Sequence, residues 1–391
     1  MWRGKESALK RRKSSWLKMH SLKLGTGCKW TAAIYSLLVL FPGCDFEKQP
    51  VVFPGDQWEM RTPESQGVDA GDLSAALDYL ESKCLDNGIN QVTVIRNGYM
   101  IHAGEQIDSV HNIWSCSKTF TSTVLGLLVD DGILSLDDRA ADYEPLLKEK
   151  YPDVTFRHFA TMTSGYSGAG VSRWNEENAD WSWTPYQPDE PYFEPGTQFA
   201  YWDEAQMMFG RVLTRILNEE MRSFLQRRVT DTIGMGEWQW HPEGELNGIP
   251  INNGCTNVHV NARQLARWGW LFLNRGNWNG EQLVSEQWVD MATTVQVPFL
   301  IPVASTDRDN IRGSGCYGFN WWINGRDFKG ELKLEAAPEG IFWASGHNNN
   351  KCFVVPQWNL VFVRMGEDGH PPDADRVWSE FFERLARAII A

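Results

Sequence analysis

Strand-forming segments lie near both ends of the chain, and this placement constrains the fold more than any other feature. Residues 91–96 alternate and are rich in β-branched side chains, Asn97-Gly98 is a strong two-residue hairpin signal, and residues 99–102 return. Further strand patterns follow only late in the chain, over residues 317–323, 340–344, 351–355 and 360–365. We therefore expect one sheet built from the two ends of the chain.

Helical spacing of apolar residues is found in much of the remaining sequence. It covers residues 73–85, 120–128, 262–274, a segment from about 285, and 373–390. Between residues 140 and 250, helical patterns are separated by turn-rich loops, and clear strand patterns are missing. These features predict an α+β fold. Residues 63–139 and 251–391 would form a sheet domain covered by the first and last helices, and residues 140–250 would form a mostly helical insertion.

The first 43 residues differ in composition from the rest of the chain. They contain nine Lys or Arg and a single acid, Glu6, followed by an apolar stretch over 30–41 and then Pro42-Gly43-Cys44. Basic, apolar and small residues in this order are typical of a secretory signal. Because Gly43-Cys44 resembles the end of a bacterial lipobox, Cys44 is a candidate for lipidation.

We therefore expect residues 1–44 to be a signal or lipoprotein leader and residues 45–62 to be a tether. Met19 is a second possible start. The protein would be exported and would reside in the periplasm or on a membrane of the cell envelope. A disordered basic tail with a short apolar patch is the alternative for this segment.

Charge and motif content exclude several classes of function. The chain carries −13, and without the basic leader the net charge is about −21, which argues against nucleic acid as a partner. No C-x-x-C or H-E-x-x-H pattern suggests a metal site, and no P-loop or G-x-G-x-x-G suggests a nucleotide. We therefore expect no metal and no cofactor.

Ser115 and Lys118 stand three residues apart at the start of a helical pattern. Residues at i and i+3 share one helix face, so the Lys118 amine can reach the Ser115 hydroxyl. A serine hydroxyl becomes a good nucleophile when a neighbouring base takes its proton, and a desolvated lysine can be that base. S-x-x-K is typical of penicillin-recognising serine enzymes, but the pattern alone is also common by chance.

Three further stretches support this interpretation: residues 162–166 (Met-Thr-Ser-Gly-Tyr), 194–203 (Glu-Pro-Gly-Thr-Gln-Phe-Ala-Tyr-Trp-Asp) and 344–350 (Ala-Ser-Gly-His-Asn-Asn-Asn). In this order and spacing, over residues 62–389, the chain resembles the serine β-lactamase-like family. That group includes class C β-lactamases, D-alanyl-D-alanine carboxypeptidases, EstB-type esterases and 6-aminohexanoate-dimer hydrolases. The Met-Thr-Ser-Gly turn and Trp321-Trp322 look most like the last branch.

The resemblance implies a β-lactamase/transpeptidase-like fold, with a mainly antiparallel sheet flanked by helices, and specific roles in the site. Ser115 matches the acylated nucleophile and Lys118 the amine beside it. Tyr201 matches the tyrosine of the Y-x-N motif, which passes a proton to the leaving group. The backbone N–H groups of Ser115 and His347 match the oxyanion hole, a large contribution to transition-state stabilisation.

The Y-x-N motif reads Tyr201-Trp202-Asp203 here. An ionised Asp203 beside Lys118 would favour the protonated amine, which cannot accept the Ser115 proton. Tyr201 would then be the base, and this is our preferred hypothesis. A neutral, protonated Asp203, or a substrate that donates a hydrogen bond to it, is the alternative, so the choice between Lys118 and Tyr201 stays open.

The K-T-G-like motif reads Ala344-Ser345-Gly346, and the lysine that anchors substrate carboxylates in the family is missing. We therefore do not expect true β-lactamase activity. The aromatic loop over 174–195 favours neutral or apolar substrates, because long loops in compact proteins are often functional. The predicted substrate-pocket residues are Asp203, Ser345, Gly346, Asn348, Trp181 and Trp183.

These observations predict a serine hydrolase that cleaves a small-molecule ester or amide through an acyl-Ser115 intermediate. A peptidase acting on D-amino-acid termini of cell-wall peptides is the alternative within enzymes. A non-catalytic binding protein on the same fold is the alternative outside them, motivated by Asp203 and Ala344. The only expected membrane attachment is through a lipidated Cys44.

Overall fold

The computed structural model describes residues 51–85, 87–169, 184–304, 311–367, 369, 371 and 373–390. The predicted leader with Cys44, and the pocket candidates Trp181 and Trp183, lie outside the described residues. No helix in the described ranges is both long and apolar enough to cross a membrane.

The described part of the chain contains both helices and strands. The helices are α1 (Ala70–Glu81), α2 (Lys118–Asp130), α3 (Phe156–Ala160), α4 (Asp203–Leu217), α5 (Met221–Leu225), α6 (Ala262–Leu273), α7 (Glu286–Ala292) and α8 (Ala374–Ala388). The strands are β1 (Val92–Arg96), β2 (Tyr99–Ala103), β3 (His111–Asn112), β4 (Gln239–Trp240), β5 (Pro242–Leu246), β6 (Ile249–Asn252), β7 (Val258–Val260), β8 (Asn277–Trp278), β9 (Glu281–Gln282), β10 (Trp322–Ile323), β11 (Phe342–Gly346), β12 (Asn350–Val355) and β13 (Leu360–Arg364).

The central sheet has six strands in the order β10-β11-β12-β13-β1-β2, and all of its pairings are antiparallel. β1 and β2 form the predicted hairpin, and its turn residues Asn97 and Gly98 have φ of 53° and 86°. β1 also pairs with β13, with Val94 opposite Phe362. The expectation of one mainly antiparallel sheet from both ends of the chain is therefore confirmed.

The sheet is covered by helices on both faces. On one face α1 packs against α8, and aromatic side chains such as Phe353 and Phe381 fill the space above the strands. On the other face α6 lies against β12, β13 and β1. A Cβ at Gly269 of α6 would be 2.7 Å from Cys352 Sγ, so the glycine allows this close approach.

Residues 140–250, predicted as an insertion, share one core with the sheet side of the molecule. The stacked pairs Phe120–Trp268 and Phe159–Phe209 belong to the same buried cluster. The expected lack of strands in this region is wrong at its end, where β4, β5 and β6 occupy residues 239–252. β4 pairs with β7 through backbone hydrogen bonds, which the local sequence pattern does not reveal.

Two further segments differ from expectation. In the predicted strand 317–323 only Trp322–Ile323 is a strand, because Asn320 takes a left-handed φ of 60° and the chain folds back there. In the predicted tether, residues from 51 onward are irregular but packed. Trp270 Nε1 donates to the Val52 carbonyl at 3.1 Å, and Trp58 is buried, so this part belongs to the folded domain.

Candidate active site

Ser115 lies in a short 3₁₀ turn, Trp114–Ser117, that leads directly into α2. The sequence predicted it in the first turn of the α-helix itself. Side chains at i and i+3 eclipse in a 3₁₀ turn, which brings Lys118 Nζ to 2.7 Å from Ser115 Oγ. Trp114, just before the serine, has a φ of 51°, and its N–H donates to Asn112 Oδ1 at 2.8 Å.

The Lys118 amine is enclosed by oxygen acceptors. It donates to Ser115 Oγ, to Asp203 Oδ1 at 2.5 Å and to the Cys255 carbonyl at 3.2 Å, and its side chain is 1% exposed. Burial works against the charge, but the Asp203 carboxylate, aided by Tyr201, outweighs it, so the pKa of Lys118 lies above its ordinary value. Three acceptors for three N–H groups fit an ammonium ion.

Two elements bring the acceptors to Lys118. Asp203 is the first residue of α4, where the partial positive charge of a helix N-terminus favours a carboxylate. Cys255 follows Gly254, where a Cβ would lie 2.0 Å from the Gln206 carbonyl oxygen of α4. The Gly254 carbonyl also accepts a hydrogen bond from Thr121 Oγ1 of α2 at 2.8 Å. Glycine at 254 therefore lets this segment close over the amine.

Tyr201 lies beside the ammonium. Lys118 Nζ is 4.8 Å from the centre of its ring, and the ring stacks on Trp322 at 5.6 Å. Burial raises the pKa of Tyr201 and the Asp203 charge adds to this, whereas Lys118 and hydrogen bonds with Ser115 and Lys118 oppose it. The pKa of Tyr201 lies above its ordinary value, so the phenol keeps its proton at neutral pH.

The third motif reaches the site as the end of β11. A Cβ at Gly346 would be 2.1 Å from the Ile113 carbonyl oxygen, so glycine allows β11 to lie directly against the turn that carries Ser115. The next residue, His347, contacts Trp114 edge to face, with ring centroids 5.1 Å apart. The predicted oxyanion donors, the N–H groups of Ser115 and His347, thus belong to adjoining segments, and their role stays a prediction.

These segments form the wall of a cavity of about 1450 Å³. Its lining includes the predicted residues Ser115, Tyr201, Asp203, Ser345, Gly346 and His347, together with apolar side chains such as Phe299, Ile301, Trp322 and Trp343. Asn348, also predicted for the pocket, is not among the residues that line this cavity. It has a left-handed φ of 58° in the β11–β12 turn, and its carbonyl accepts from Arg364 Nη1 at 2.8 Å.

Lys351 also lines the cavity, and sequence reasoning missed it. It lies on β12 directly opposite Ser345 of β11, and its Nζ is 2.5 Å from Ser345 Oγ. Ala344, at the position of the family's motif lysine, is buried in the core on the opposite face of the sheet. The pairing of β11 with β12 in a hairpin could have identified Lys351 from the sequence, because it places this residue opposite Ser345.

The described residues offer no obvious place for a metal ion. No three His, Cys, Asp or Glu side chains among them are grouped so that they could hold one. Around Ser115, the groups that can take part in chemistry are the hydroxyl groups of Ser115 and Tyr201 and the charges of Lys118 and Asp203.

Comparisons with known proteins point to one family. A family model described as Beta-lactamase matches residues 90–381. A β-lactamase of Pseudomonas fluorescens is 29% identical over 130 residues, 33% of this chain and 36% of that protein. A lovastatin esterase of Penicillium rubens is 26% identical over 165 residues, 35% of this chain and 41% of that protein. In both cases the match covers less than half the length of the relative.

A solved structure from Bacillus anthracis, assigned as a 6-aminohexanoate-dimer hydrolase, superposes with a TM-score of 0.63. The sequences are 17% identical, and 86% of this chain and 88% of that chain are covered. At this identity the likeness concerns the fold alone.

Proposed function

The chain belongs to the β-lactamase family and is a serine hydrolase of the β-lactamase type, and on that premise we propose that it cleaves a carboxylic ester or amide through an acyl-Ser115 intermediate. One observation carries the proposal. Lys118 Nζ contacts both Ser115 Oγ and Asp203 Oδ1, with Tyr201 beside them, at the wall of a large cavity. A non-catalytic role would not require this convergence.

Lys118 is the charged partner in the proposed mechanism, and it does not act as the base. Its amine already donates to Ser115 Oγ, so the Ser115 proton points elsewhere, and Tyr201 is the nearest group that can receive it. Since Tyr201 holds its own proton at rest, the transfer is a relay. The Ser115 proton moves to the Tyr201 oxygen while the Tyr201 proton moves to the leaving group. The nearby ammonium stabilises the negative charge that develops on the phenol oxygen.

Attack by Ser115 Oγ on the substrate carbonyl forms a tetrahedral intermediate. We assign its oxyanion to the backbone N–H groups of Ser115 and His347, because both lie where β11 meets the nucleophile turn. Loss of the alcohol or amine leaves the acyl-enzyme. Water then attacks the acyl group, gives its proton to Tyr201 by the reverse relay, and restores Ser115.

Ester or amide hydrolysis is favoured over β-lactam hydrolysis. Position 344 has no lysine, so the motif itself lacks the residue that usually binds a β-lactam carboxylate. A cavity of about 1450 Å³ with aromatic walls accepts bulky apolar groups, and the lovastatin esterase among the relatives supports ester cleavage. The substrate is a small molecule.

A covalent probe tests the proposed function directly. A fluorophosphonate should label the wild type on the Ser115 peptide and should not label Ser115→Ala. Ser345→Ala is the matched control, because Ser345 is another serine of the same cavity, and it should still be labelled. No labelling of a folded wild-type protein by any acylating probe would favour a binding protein. Turnover of nitrocefin faster than of p-nitrophenyl esters would contradict the assignment as an esterase or amidase.

We also propose that residues 1–44 direct export and that a lipidated Cys44 attaches the protein to a membrane of the cell envelope. The support is the basic-apolar-small order of the leader and the Gly43-Cys44 pair. In a bacterial host, labelled palmitate should be incorporated into the wild type and not into Cys44→Ala, which should move to the soluble fraction. Equal fractionation of both proteins would contradict lipidation.

A further inference from the structure

Lys351 is a buried cation in the wall of the reaction cavity. Its side chain is 6% exposed, it lies on β12 next to β11, and its Nζ hydrogen-bonds Ser345 Oγ at 2.5 Å. An ammonium has three N–H donors, and a buried charge is costly unless it is paired. Ser345 satisfies one donor but brings no negative charge.

The groups around Lys351 do not neutralise it. Arg364 lies directly opposite on β13, and Lys333 is a second nearby cation. Asp375 of α8 is the nearby acid, but its carboxylate pairs with Lys333 at 3.0 Å. Cys116, next to the nucleophile, is a neutral thiol, because burial raises its pKa to about 12. Among the described residues, no acid forms an ion pair with Lys351.

This environment has a measurable consequence for the free enzyme. Burial, with help from Arg364 and Lys333, lowers the pKa of Lys351 to about 8. The amine is therefore charged below about pH 8 and loses its proton above it. An anion placed against it would offset the cost of burial and raise its pKa again.

We infer that Lys351, together with the Ser345 hydroxyl, binds an anionic group of the substrate, a carboxylate or a small anion of similar size. The inference rests on the proposed function and specifies its substrate class: esters or amides that carry a negative charge. The sequence suggested the opposite, because Ala344 removes the motif lysine. Lys351 of the neighbouring strand β12 instead places a cation beside Ser345, because the two residues are paired in the β11–β12 hairpin. Binding of an anionic substrate above pH 8 must then take up a proton.

Two matched substrate pairs test this inference. The first pair is the mono-p-nitrophenyl ester of adipate and p-nitrophenyl hexanoate. Their acyl chains are of equal length, and only the adipate ester carries a terminal carboxylate. In the second pair the leaving group carries the charge, 4-acetoxybenzoate against phenyl acetate. The variants are Lys351→Met, which removes the charge, and Lys351→Arg, which keeps it. Lys333→Met is the control, since Lys333 lines the same cavity but is paired with Asp375.

For at least one pair, Lys351→Met should lower kcat/KM of the anionic member by about 10- to 100-fold, the usual range for a charge-assisted hydrogen bond. The neutral member should change by less than about threefold. Lys351→Arg should retain the preference, and Lys333→Met should affect both members alike. In the wild type, KM of the anionic member should rise above pH 8, while KM of the neutral member stays level.

Equal losses on anionic and neutral members in both pairs would show that Lys351 is structural, and would overturn the inference. Fluorophosphonate labelling of Ser115 separates this failure from failure of the proposed function. Lys351→Met that is labelled at the wild-type rate but shows no charge preference contradicts only the anion site. A wild type that cannot be labelled contradicts the hydrolase mechanism itself.

Discussion

Replacing Asp203 by Asn removes the charge that keeps Lys118 protonated while preserving an oxygen as hydrogen-bond acceptor. The ion pair has an N–O distance of 2.5 Å. At an effective dielectric of about 20, this corresponds to about 7 kcal/mol of gross Coulomb energy, an upper bound. Opposite charges at close range typically shift a pKa by about 1–3 units, or about 1.4–4 kcal/mol.

Lys351 provides an internal reference for a buried lysine without a carboxylate partner, and its pKa is lowered to about 8. In Asp203→Asn the carboxylate no longer offsets burial, which is already the largest single effect on Lys118, and we expect the pKa of Lys118 to fall from above the ordinary 10.5 toward the same region. Because folding raises the pKa of Lys118, the ion pair makes its full contribution to stability below pH 10.5, the ordinary pKa of lysine. This contribution is lost only when the pH rises through the still higher pKa that Lys118 has in the folded protein.

The assay is kcat/KM for a neutral p-nitrophenyl ester between pH 6 and pH 10, so that the charge of Lys351 does not affect substrate binding. If protonated Lys118 supports the relay, Asp203→Asn should show a new descending limb near pH 8–9 that the wild type lacks. If neutral Lys118 were the base, the variant would instead gain activity as pH rises through that range, and this result would contradict the role of protonated Lys118 in the relay. Asp131→Asn, a distant acid paired with Arg228, should keep the wild-type profile.

Three further substitutions test other parts of the structure. Tyr201→Phe removes the relay and should slow acylation by about 10²- to 10⁴-fold in the p-nitrophenolate burst, and an unchanged burst would exclude Tyr201 as the proton carrier. Gly346→Ala places a Cβ 2.1 Å from the Ile113 carbonyl oxygen and should lower kcat/KM by about 10²-fold, while the variant still unfolds cooperatively. Wild-type activity would show that β11 need not lie against the nucleophile turn. Glu144→Gln replaces a fully buried carboxylate with a neutral side chain and leaves Arg211 and Arg215 without their partner. It should lower the free energy of unfolding by about 3 kcal/mol in urea titrations, and an unchanged free energy of unfolding would contradict this.

The charge of the cavity wall illustrates how far residue order can mislead. Reading along the motif, Ala344 indicated a site without an anion-binding lysine. In the folded chain, the residue beside Ser345 is Lys351, six positions later, because antiparallel pairing places it there. Side-chain identity at one motif position therefore did not determine the charge of the cavity wall.

The surroundings of Lys118 also combine one contact that the sequence predicts with one that it does not. The sequence predicted that the Asp203 carboxylate would be a neighbour of Lys118 and would favour the ammonium, and the 2.5 Å contact agrees with this. The Cys255 carbonyl, which completes the environment of Lys118, comes from a loop with no recognisable motif. Its place depends on the Gly254–Gln206 contact between distant segments, for which a single sequence has no periodic signal.

The antiparallel hairpin at Asn97-Gly98, most of the helices and the motif residues Ser115, Lys118 and Tyr201 can be predicted from residue order alone, because local periodicity, turn chemistry and motif spacing are properties of short segments. Three features are visible only in the folded chain: residues 140–250 share a core with the sheet, the segment after 317 folds back before β10, and Lys351 faces the cavity. Those features depend on strand register and on close approach between segments far apart in the chain. Such contacts are set by the packing of the whole domain and leave no local pattern in the sequence.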